Sequence, residues 1–213
     1  MFLLYLLSLL FTFVSHFVVK SNAFLATNHA TAPHSMRVRG SPLEAVAVLY
    51  DSMGGNTEQV AGYIADAFGV KPLNINDVSV DQVKEFDCFV VGAPTWHTDA
   101  DQERSGTGWD GWLYQELKEI DFDGKKVACF GVGDSVGYAD NFVDAMEELH
   151  SCFKAQKAEM HGYTDPAGYQ HDDSKALIDG VFCGLPLDED NESEMSEDRC
   201  KAWVSKLQGV GFE

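Results

Sequence analysis

Three loops of the sequence together supply glycines, uncharged hydrogen-bond donors and aromatic side chains. The first, residues 52–57, lies between an apolar run and a helical pattern. Gly54 and Gly55 let the backbone approach a ligand closely, and a helix N-terminus offers free N–H groups to an anion. The neutral side-chain donors are Ser52, Asn56 and Thr57. The loop has no lysine and matches neither the nucleoside triphosphate motif nor the dinucleotide motif. It therefore predicts a phosphate monoester that is bound and not transferred, with an ordinary glycine-rich turn as the alternative.

The second and third loops each supply an aromatic side chain. Trp96 follows a buried apolar run, and Tyr138 lies in the glycine-rich loop 131–141. Taken alone, Trp96 is either a core residue or a flat platform for a ring. Two aromatic residues from neighbouring loops can enclose a planar heterocycle between them. His97 could act as a general base, but the sequence shows no carboxylate partner for it, which favours an ordinary loop histidine.

These loops need a scaffold that brings them to one edge. Apolar runs at residues 45–50, 87–93 and 126–131 are each followed by a loop and a helical pattern. Continuous apolar runs indicate strands buried on both faces, as in a parallel sheet. The predicted helices are 57–68, 109–120 and 141–156. This alternation predicts a doubly wound α/β fold, in which ligands bind beyond the carboxyl ends of the strands.

Weaker patterns complete the sheet. Residues 70–75 are the predicted second strand, and residues 158–163 with 181–185 are a fifth strand interrupted by an insertion. A C-terminal helix is predicted over 196–207, with Ser196 as its N-cap and two acidic residues in its first turn.

The N-terminal 43 residues have the composition of targeting segments. Residues 1–19 are apolar and uncharged, and Ser21 and Ala23 suit a cleavage after residue 23. This favours a signal peptide over an uncleaved anchor, although the basic start of a signal peptide is missing. Residues 24–43 contain two arginines, several hydroxyl residues and no acid, as in a transit peptide. The junction 21–25 resembles the cleavage motif of presequences that carry proteins into the complex plastids of diatoms and related algae. Residues 44–213 remain as one domain.

The charge balance is strongly acidic. The chain has 213 residues, with 15 Lys and Arg against 34 Asp and Glu, a net charge of −19. Without residues 1–43 the balance is 12 against 34, or −22. The absence of a clustered basic face in the sequence argues against nucleic acid as a partner. Such a surface repels anionic membranes and attracts basic protein faces, unless the acidity serves only solubility.

The five cysteines are scattered through the chain. They form no C-x-x-C pair and have no histidine at ligand spacing, so the sequence predicts neither an iron–sulfur cluster nor a zinc site. An odd number of cysteines within apolar runs predicts buried free thiols in a reducing compartment, which fits a plastid stroma better than secretion.

Together these motifs give the chain a resemblance to the flavodoxin family. It covers residues 45–211 and includes GAPTW at 92–96, ERSGTGWDGWLY at 103–114, GVGD at 131–134 and GLPLDEDN at 184–191. The insertion resembles that of the long-chain subgroup, and residues 103–114 look most like marine algal forms. The resemblance implies a five-stranded parallel sheet of order 2-1-3-4-5, and non-covalently bound FMN as cofactor.

The resemblance also assigns roles to individual residues. The FMN phosphate would lie on residues 52–57, with Trp96 and Tyr138 covering the two ring faces. The full set of cofactor-binding residues that it implies is Ser52, Met53, Gly54, Gly55, Asn56, Thr57, Pro94, Thr95, Trp96, His97, Thr98, Gly133, Asp134, Tyr138 and Asp140.

Several positions depart from the family pattern, among them His97, which stands where asparagine is more usual. Asp51 and Gly54 stand where glycine and threonine are frequent, and Asp99 stands where glycine is more usual. In relatives a peptide near position 99 is thought to turn toward the flavin on its first reduction. Because Asp99 lacks the conformational freedom of glycine, we expect the first reduction to be less favoured here.

The implied function is low-potential one-electron transfer. Plastid flavodoxins accept electrons from photosystem I and pass them to ferredoxin-NADP reductase, replacing ferredoxin when iron is scarce. The resemblance implies the same partners here, and a monomer, since carriers with small transient interfaces are usually monomeric. The alternatives are an FMN-dependent NAD(P)H quinone reductase, a phospho-accepting receiver domain, and a copy that has lost FMN. The receiver domain would need an acidic cluster at the end of the first strand and a phosphorylatable aspartate at the end of the third, where this sequence has Pro94, Thr95 and Trp96.

Overall fold

The computed structural model describes residues 46–213, so the predicted signal and transit peptides lie outside the described residues. The strands are β1 Val46–Tyr50, β2 Pro72–Asn74, β3 Cys88–Pro94, β4 Lys126–Val132, β5 Glu159–His161, β6 Leu177–Ile178, β7 Val181–Phe182 and β8 Gly184–Leu187. The α-helices are α1 Asn56–Phe68, α2 Val80–Lys84, α3 Trp109–Trp112, α4 Asp144–Ala155 and α5 Ser193–Gln208.

The main sheet is parallel and has the order β2-β1-β3-β4-β5. The fifth position is shared by two short strands, because β5 pairs with Lys126–Ala128 and β8 pairs with Cys129–Val132. Between them the insertion folds into the antiparallel pair β6–β7. The predicted fold class is thereby confirmed, including the insertion in the last strand.

Helices cover both faces of the sheet, which explains why the central strands are continuously apolar. On one face Leu49, Val91 and Cys129 pack with α3 and α4. On the other face Val48 and Val90 pack with α1 and α5. Because β1, β3 and β4 are parallel, the loops that follow them emerge at one edge, as the predicted scaffold requires.

The helix predicted over 109–120 is wrong. The segment forms only the single turn α3 and a separate 3₁₀ turn, Glu116–Glu119. Gly111 lowers the helix propensity of this stretch. Trp109 and Trp112 pack edge to face with each other, and both contact Phe153 of α4. Burial of these aromatic side chains decides the local conformation.

Two other boundaries differ from the prediction because of left-handed residues. Gly69 (φ 76°) ends α1, and the N–H of Val70 caps the carbonyl of Ala65, so β2 begins later than residue 70. Val143 has φ 53°, so α4 begins at Asp144 and not at residue 141.

The predicted N-cap of the last helix is also wrong. Helix α5 begins at Ser193, and Ser196 is a fully buried residue inside its first turns. The start of the helix is held by an ion pair between Arg199 and Glu192 at 2.6 Å, an interaction that no local capping pattern shows.

Four of the five cysteines are buried, as predicted, and Cys152 is half-buried. Burial raises the pKa of Cys183 and of Cys200 to about 12, which makes both thiols poor nucleophiles. Within residues 46–213, no helix is both long and apolar enough to cross a membrane.

Candidate functional site

A cleft opens at the carboxyl ends of β1, β3 and β4. Eleven of the fifteen predicted site residues line it: Ser52, Gly54, Asn56, Thr57, Pro94, Thr95, Trp96, Thr98, Gly133, Asp134 and Tyr138. The scaffold therefore brings together residues that are up to 86 positions apart in the chain, from Ser52 to Tyr138.

The other four predicted residues lie outside the cleft lining. Met53 is exposed, and the N–H of Gly55 donates to Ser52 Oγ within the loop. Asp140 lies in an exposed 3₁₀ turn. His97 Nδ1 lies 2.6 Å from the carbonyl oxygen of Glu103 and 3.8 Å from Asp110 Oδ2, so the folded chain places a carboxylate near His97 that the sequence did not show.

The first loop is shaped by a carboxylate that the sequence analysis treated only as a departure from the family pattern. Asp51 is buried, and its carboxylate accepts hydrogen bonds from Ser52 N at 2.8 Å, Asn76 Nδ2 at 2.7 Å and Gly108 N at 2.7 Å. Gly55 has φ 97°, a conformation that favours glycine, and it turns the chain into α1. The loop therefore presents the first turn of α1 to the cleft.

Thr57 supplies an unused hydrogen-bonding group at this helix start. It is buried, and in the described part of the chain its Oγ1 atom has no hydrogen-bond partner. A buried hydroxyl without a partner carries a free-energy cost that a ligand acceptor would remove. Together with the free N–H groups of the first helical turn, it fits a phosphate group.

The two aromatic side chains are not core residues. Trp96 is 53% exposed and Tyr138 is 59% exposed, although both line the cleft. Large aromatic residues left this open at a concave site fit the two faces of a planar ring. The residues present thus suit a ligand with a phosphate at one end and a flat heterocycle at the other.

A polar network holds the loop that carries Tyr138. Asp134 Oδ1 accepts hydrogen bonds from Gly137 N at 2.7 Å, Asn191 Nδ2 at 2.8 Å and Val136 N at 3.0 Å. Asp188 accepts hydrogen bonds from both the N–H and the hydroxyl of Ser135. The hydrogen bond from Gly137 is the largest cause of the lowered pKa of Asp134. Burial acts to raise the pKa of Asp188, but hydrogen bonds from Ser135 and Asn191 outweigh it and lower that pKa.

These lowered pKa values predict a pH dependence of stability. Both carboxylates stabilise the fold fully above the ordinary Asp pKa of about 4, and the contribution is lost as the pH falls through the lowered folded-state pKa. We expect Asp188→Asn to lower the free energy of unfolding by about 1–3 kcal/mol at neutral pH, because one amide oxygen cannot replace two carboxylate oxygens. Below pH about 4 its stability should fall less steeply than that of the wild type.

Urea unfolding of the apoprotein between pH 7 and pH 3 measures both effects. Ser135→Ala keeps the carboxylate of Asp188 but removes one donor, and should give an intermediate slope. Parallel profiles for wild type and Asp188→Asn would show that Asp188 contributes no acid dependence.

Three residues that line the cleft were not among the predicted site residues: Val132, Asn141 and Asp190. Val132 is the last residue of β4. A signal for Asp190 was present, because the last strand of a parallel sheet sends its following loop to the same edge. Among the lining residues none is basic, and Asp134 and Asp190 are acidic. The cleft therefore disfavours additional negative charge on a ligand.

Comparison with known proteins gives a consistent result. A model of the flavodoxin family matches residues 48–203. A flavodoxin from Synechocystis sp. is 41% identical over 169 residues, covering 78% of this chain and 96% of the relative. A flavodoxin from Nostoc sp. is 42% identical over 165 residues, covering 76% and 94%. The crystal structure of Fusobacterium nucleatum flavodoxin bound to flavin mononucleotide has a TM-score of 0.69 at 22% identity, covering 78% of this chain and 97% of that one, and supports the fold.

Proposed function

The chain belongs to the flavodoxin family, and from this premise we propose that its cleft binds FMN and that the protein works as a low-potential one-electron carrier between photosynthetic partners. Like the rest of the family, it is an FMN electron-transfer protein and not an enzyme. The observation that carries the assignment of the cleft is the pair of exposed aromatic residues, Trp96 and Tyr138. They lie beside the loop 52–57, which has no basic residue and is suited to a phosphate.

The bound FMN would supply the one-electron redox chemistry. Ser52, Asn56 and Thr57 would hold its phosphate with neutral donors, and the N-terminal turn of α1 would add backbone N–H groups. Trp96 and Tyr138 would enclose the ring and exclude water from its faces. The protein thus contributes binding, orientation and an electrostatic environment.

The acidity of the protein supports a low potential. Asp134 and Asp190 line the cleft, and residues 44–213 carry a net charge of −22. Adding an electron raises the negative charge of the ligand, and acidic neighbours oppose this. The same surface would attract basic faces of redox partners and speed their encounter.

We further propose a long-chain, algal plastid type with photosystem I as donor and ferredoxin-NADP reductase as acceptor, used as a ferredoxin substitute under iron limitation. The composition of residues 1–43 and the strongly acidic domain support this proposal. A fluorescent protein carrying residues 1–43 should enter the plastid of a diatom. Retention in the endoplasmic reticulum would contradict the transit function of residues 24–43.

Salt dependence tests the proposed partners. With illuminated thylakoid membranes as donor and ferredoxin-NADP reductase as acceptor, the protein should support NADP⁺ reduction. The rate of this reduction should fall as ionic strength increases beyond the optimum. The reason is that salt ions largely screen the attraction between exposed charges that lie more than about 8 Å apart at physiological ionic strength. A rate independent of the added protein would contradict the proposed partners, while leaving the redox role of the protein intact.

The variant Asp99→Gly tests whether the first reduction is less favoured because residue 99 is not glycine. Asp99 adopts φ 63° in the described structure, and its carboxylate accepts from Asn141 Nδ2 at 3.2 Å. Glycine occupies this conformation without the cost that a side chain brings. We expect Asp99→Gly to raise the first of the two one-electron potentials relative to the second, as measured by anaerobic redox titration.

Asp99→Asn is the matched control for charge. It removes the carboxylate but keeps a side chain that tolerates positive φ. Equal shifts in both variants would assign the effect to charge and not to backbone freedom. An unchanged first potential in Asp99→Gly would reject the hypothesis.

A further inference from the structure

Residues 103–110, a loop and the start of α3, are here called the brace, and they support the segment that carries Trp96. The carbonyl oxygen of Arg104 accepts hydrogen bonds from the backbone N–H groups of both Trp96 and His97, each at 3.1 Å. Gly106 packs so closely that a Cβ atom there would lie 2.8 Å from Trp96 Cβ. The backbone of residues 96 and 97 therefore takes its position from the brace.

Carboxylates hold the backbone of the brace at three places. Glu148 accepts from Glu103 N at 2.7 Å and Arg104 N at 2.8 Å. Asp110 accepts from Ser105 N and Gly106 N, and Asp51 accepts from Gly108 N. Asp110 belongs to the brace itself, and Asp51 connects the brace to the loop 52–57. Glu148 attaches the backbone of the brace to helix α4, and the side chain of Arg104 adds contacts to Asp144 O and to Glu147 of the same helix.

Glu148 is suited to hold a strained conformation. Its side chain is 5% exposed, and its two oxygens face the two backbone donors. Tyr114 donates its hydroxyl proton to the same carboxylate. Glu103 has φ 60°, a conformation that a non-glycine residue keeps only where its surroundings determine it. Glu148 contributes to that constraint, because its carboxylate accepts from the N–H of Glu103, while His97 Nδ1 contacts the carbonyl oxygen of the same residue.

We propose that Glu148 is a positioning residue for the flavin: through the brace it fixes the backbone at Trp96 and His97 against the ring. Glu148 lines no part of the cleft, so it acts through residues 103 and 104. The proposal rests on the proposed function, because it concerns the geometry of the FMN site.

Two substitutions at this position separate geometry from charge. Glu148→Gln keeps the shape but leaves one backbone N–H facing an amide donor, and Glu148→Asp keeps the charge but is too short to reach both donors. We expect each to raise the FMN dissociation constant about tenfold and to change the separation of the two reduction potentials. Tyr114→Phe leaves both backbone hydrogen bonds to Glu148 and should lie within about twofold of wild type.

The control for lost stability is Val204→Ala, a buried substitution in α5 on the opposite face of the sheet. It should lower the stability of the apoprotein without moving the dissociation constant or the potentials. Flavin fluorescence gives the dissociation constant, redox titration gives the potentials, and urea unfolding gives the stability of each variant.

The outcomes distinguish this proposal from the proposed function. Wild type that binds no FMN would overturn both. Wild type that binds FMN, with Glu148→Gln matching Val204→Ala in its potentials, would overturn only the positioning role. So would a shift in Glu148→Gln that is absent from Glu148→Asp, because charge alone would then explain it.

A measurement on the wild-type apoprotein covers the case in which both Glu148 variants fail to fold. The brace amides of Glu103 and Arg104 should resist hydrogen exchange although they lie in a loop, because both are bonded to a buried carboxylate. Exchange as fast as that of an unstructured peptide would contradict the proposal.

Discussion

Trp96→Ala is expected to weaken FMN binding about 100-fold, or about 2.7 kcal/mol, within the 1–3 kcal/mol that an aromatic platform contributes to stacking with a planar base. Trp96 is more than half exposed, so its removal costs the fold little. The stability of the apoprotein should change by no more than about 0.5 kcal/mol. Titration of the apoprotein with FMN, followed by quenching of flavin fluorescence, measures the loss.

Two comparisons make this result specific. Trp96→Phe keeps an aromatic face and should recover most of the affinity. Val136→Ala removes an exposed apolar side chain from the loop of Tyr138, but Val136 does not line the cleft, so it should have no effect beyond about twofold. Binding by Trp96→Ala within threefold of wild type would mean that Trp96 does not stack on the ring.

The second large effect is expected for Thr57→Val. Valine has nearly the shape of threonine but lacks the buried hydroxyl, which has no partner among residues 46–213. A hydrogen bond to a charged phosphate contributes about 1.5–3 kcal/mol, so FMN affinity should fall roughly 10-fold to 150-fold. The apoprotein should be as stable as wild type or slightly more stable, because an unsatisfied polar group is removed.

Riboflavin provides the matched control for Thr57→Val, since it has the same ring but no phosphate. Its dissociation constant should be the same for wild type and variant. A loss of affinity that is equal for FMN and riboflavin would show that Thr57 shapes the site generally and does not contact phosphate. No loss for either ligand would place the phosphate elsewhere.

The sheet could be predicted from the sequence because its signals are local. The runs that became β1, β3 and β4 are continuously apolar, and each is followed by turn residues. The conformation of residues 109–120, for which the sequence predicted one helix, could not be predicted in the same way. Its conformation depends on Trp109 and Trp112 packing against Phe153, which is more than 40 positions away in the chain.

The cleft followed from the fold, because loops after parallel strands meet at one edge. The residues that support it did not. Asp51 contacts Gly108 across 57 positions, and Glu148 contacts Arg104 across 44. Neither pair has a spacing or composition that marks it. The sequence showed Asp51 only as an unusual residue, while its four hydrogen bonds depend on the folded arrangement of three segments.

Anaerobic reductive titration of the protein, expressed with FMN and followed by visible absorbance, decides whether it is a one-electron carrier. We expect a yellow protein with one FMN per chain that takes up two electrons in two separate steps, both at low potential. Reduction in a single two-electron step, or hydride uptake from NADPH without an added reductase, would contradict a one-electron carrier and favour a quinone reductase. Absence of bound flavin would contradict the assignment of the cleft.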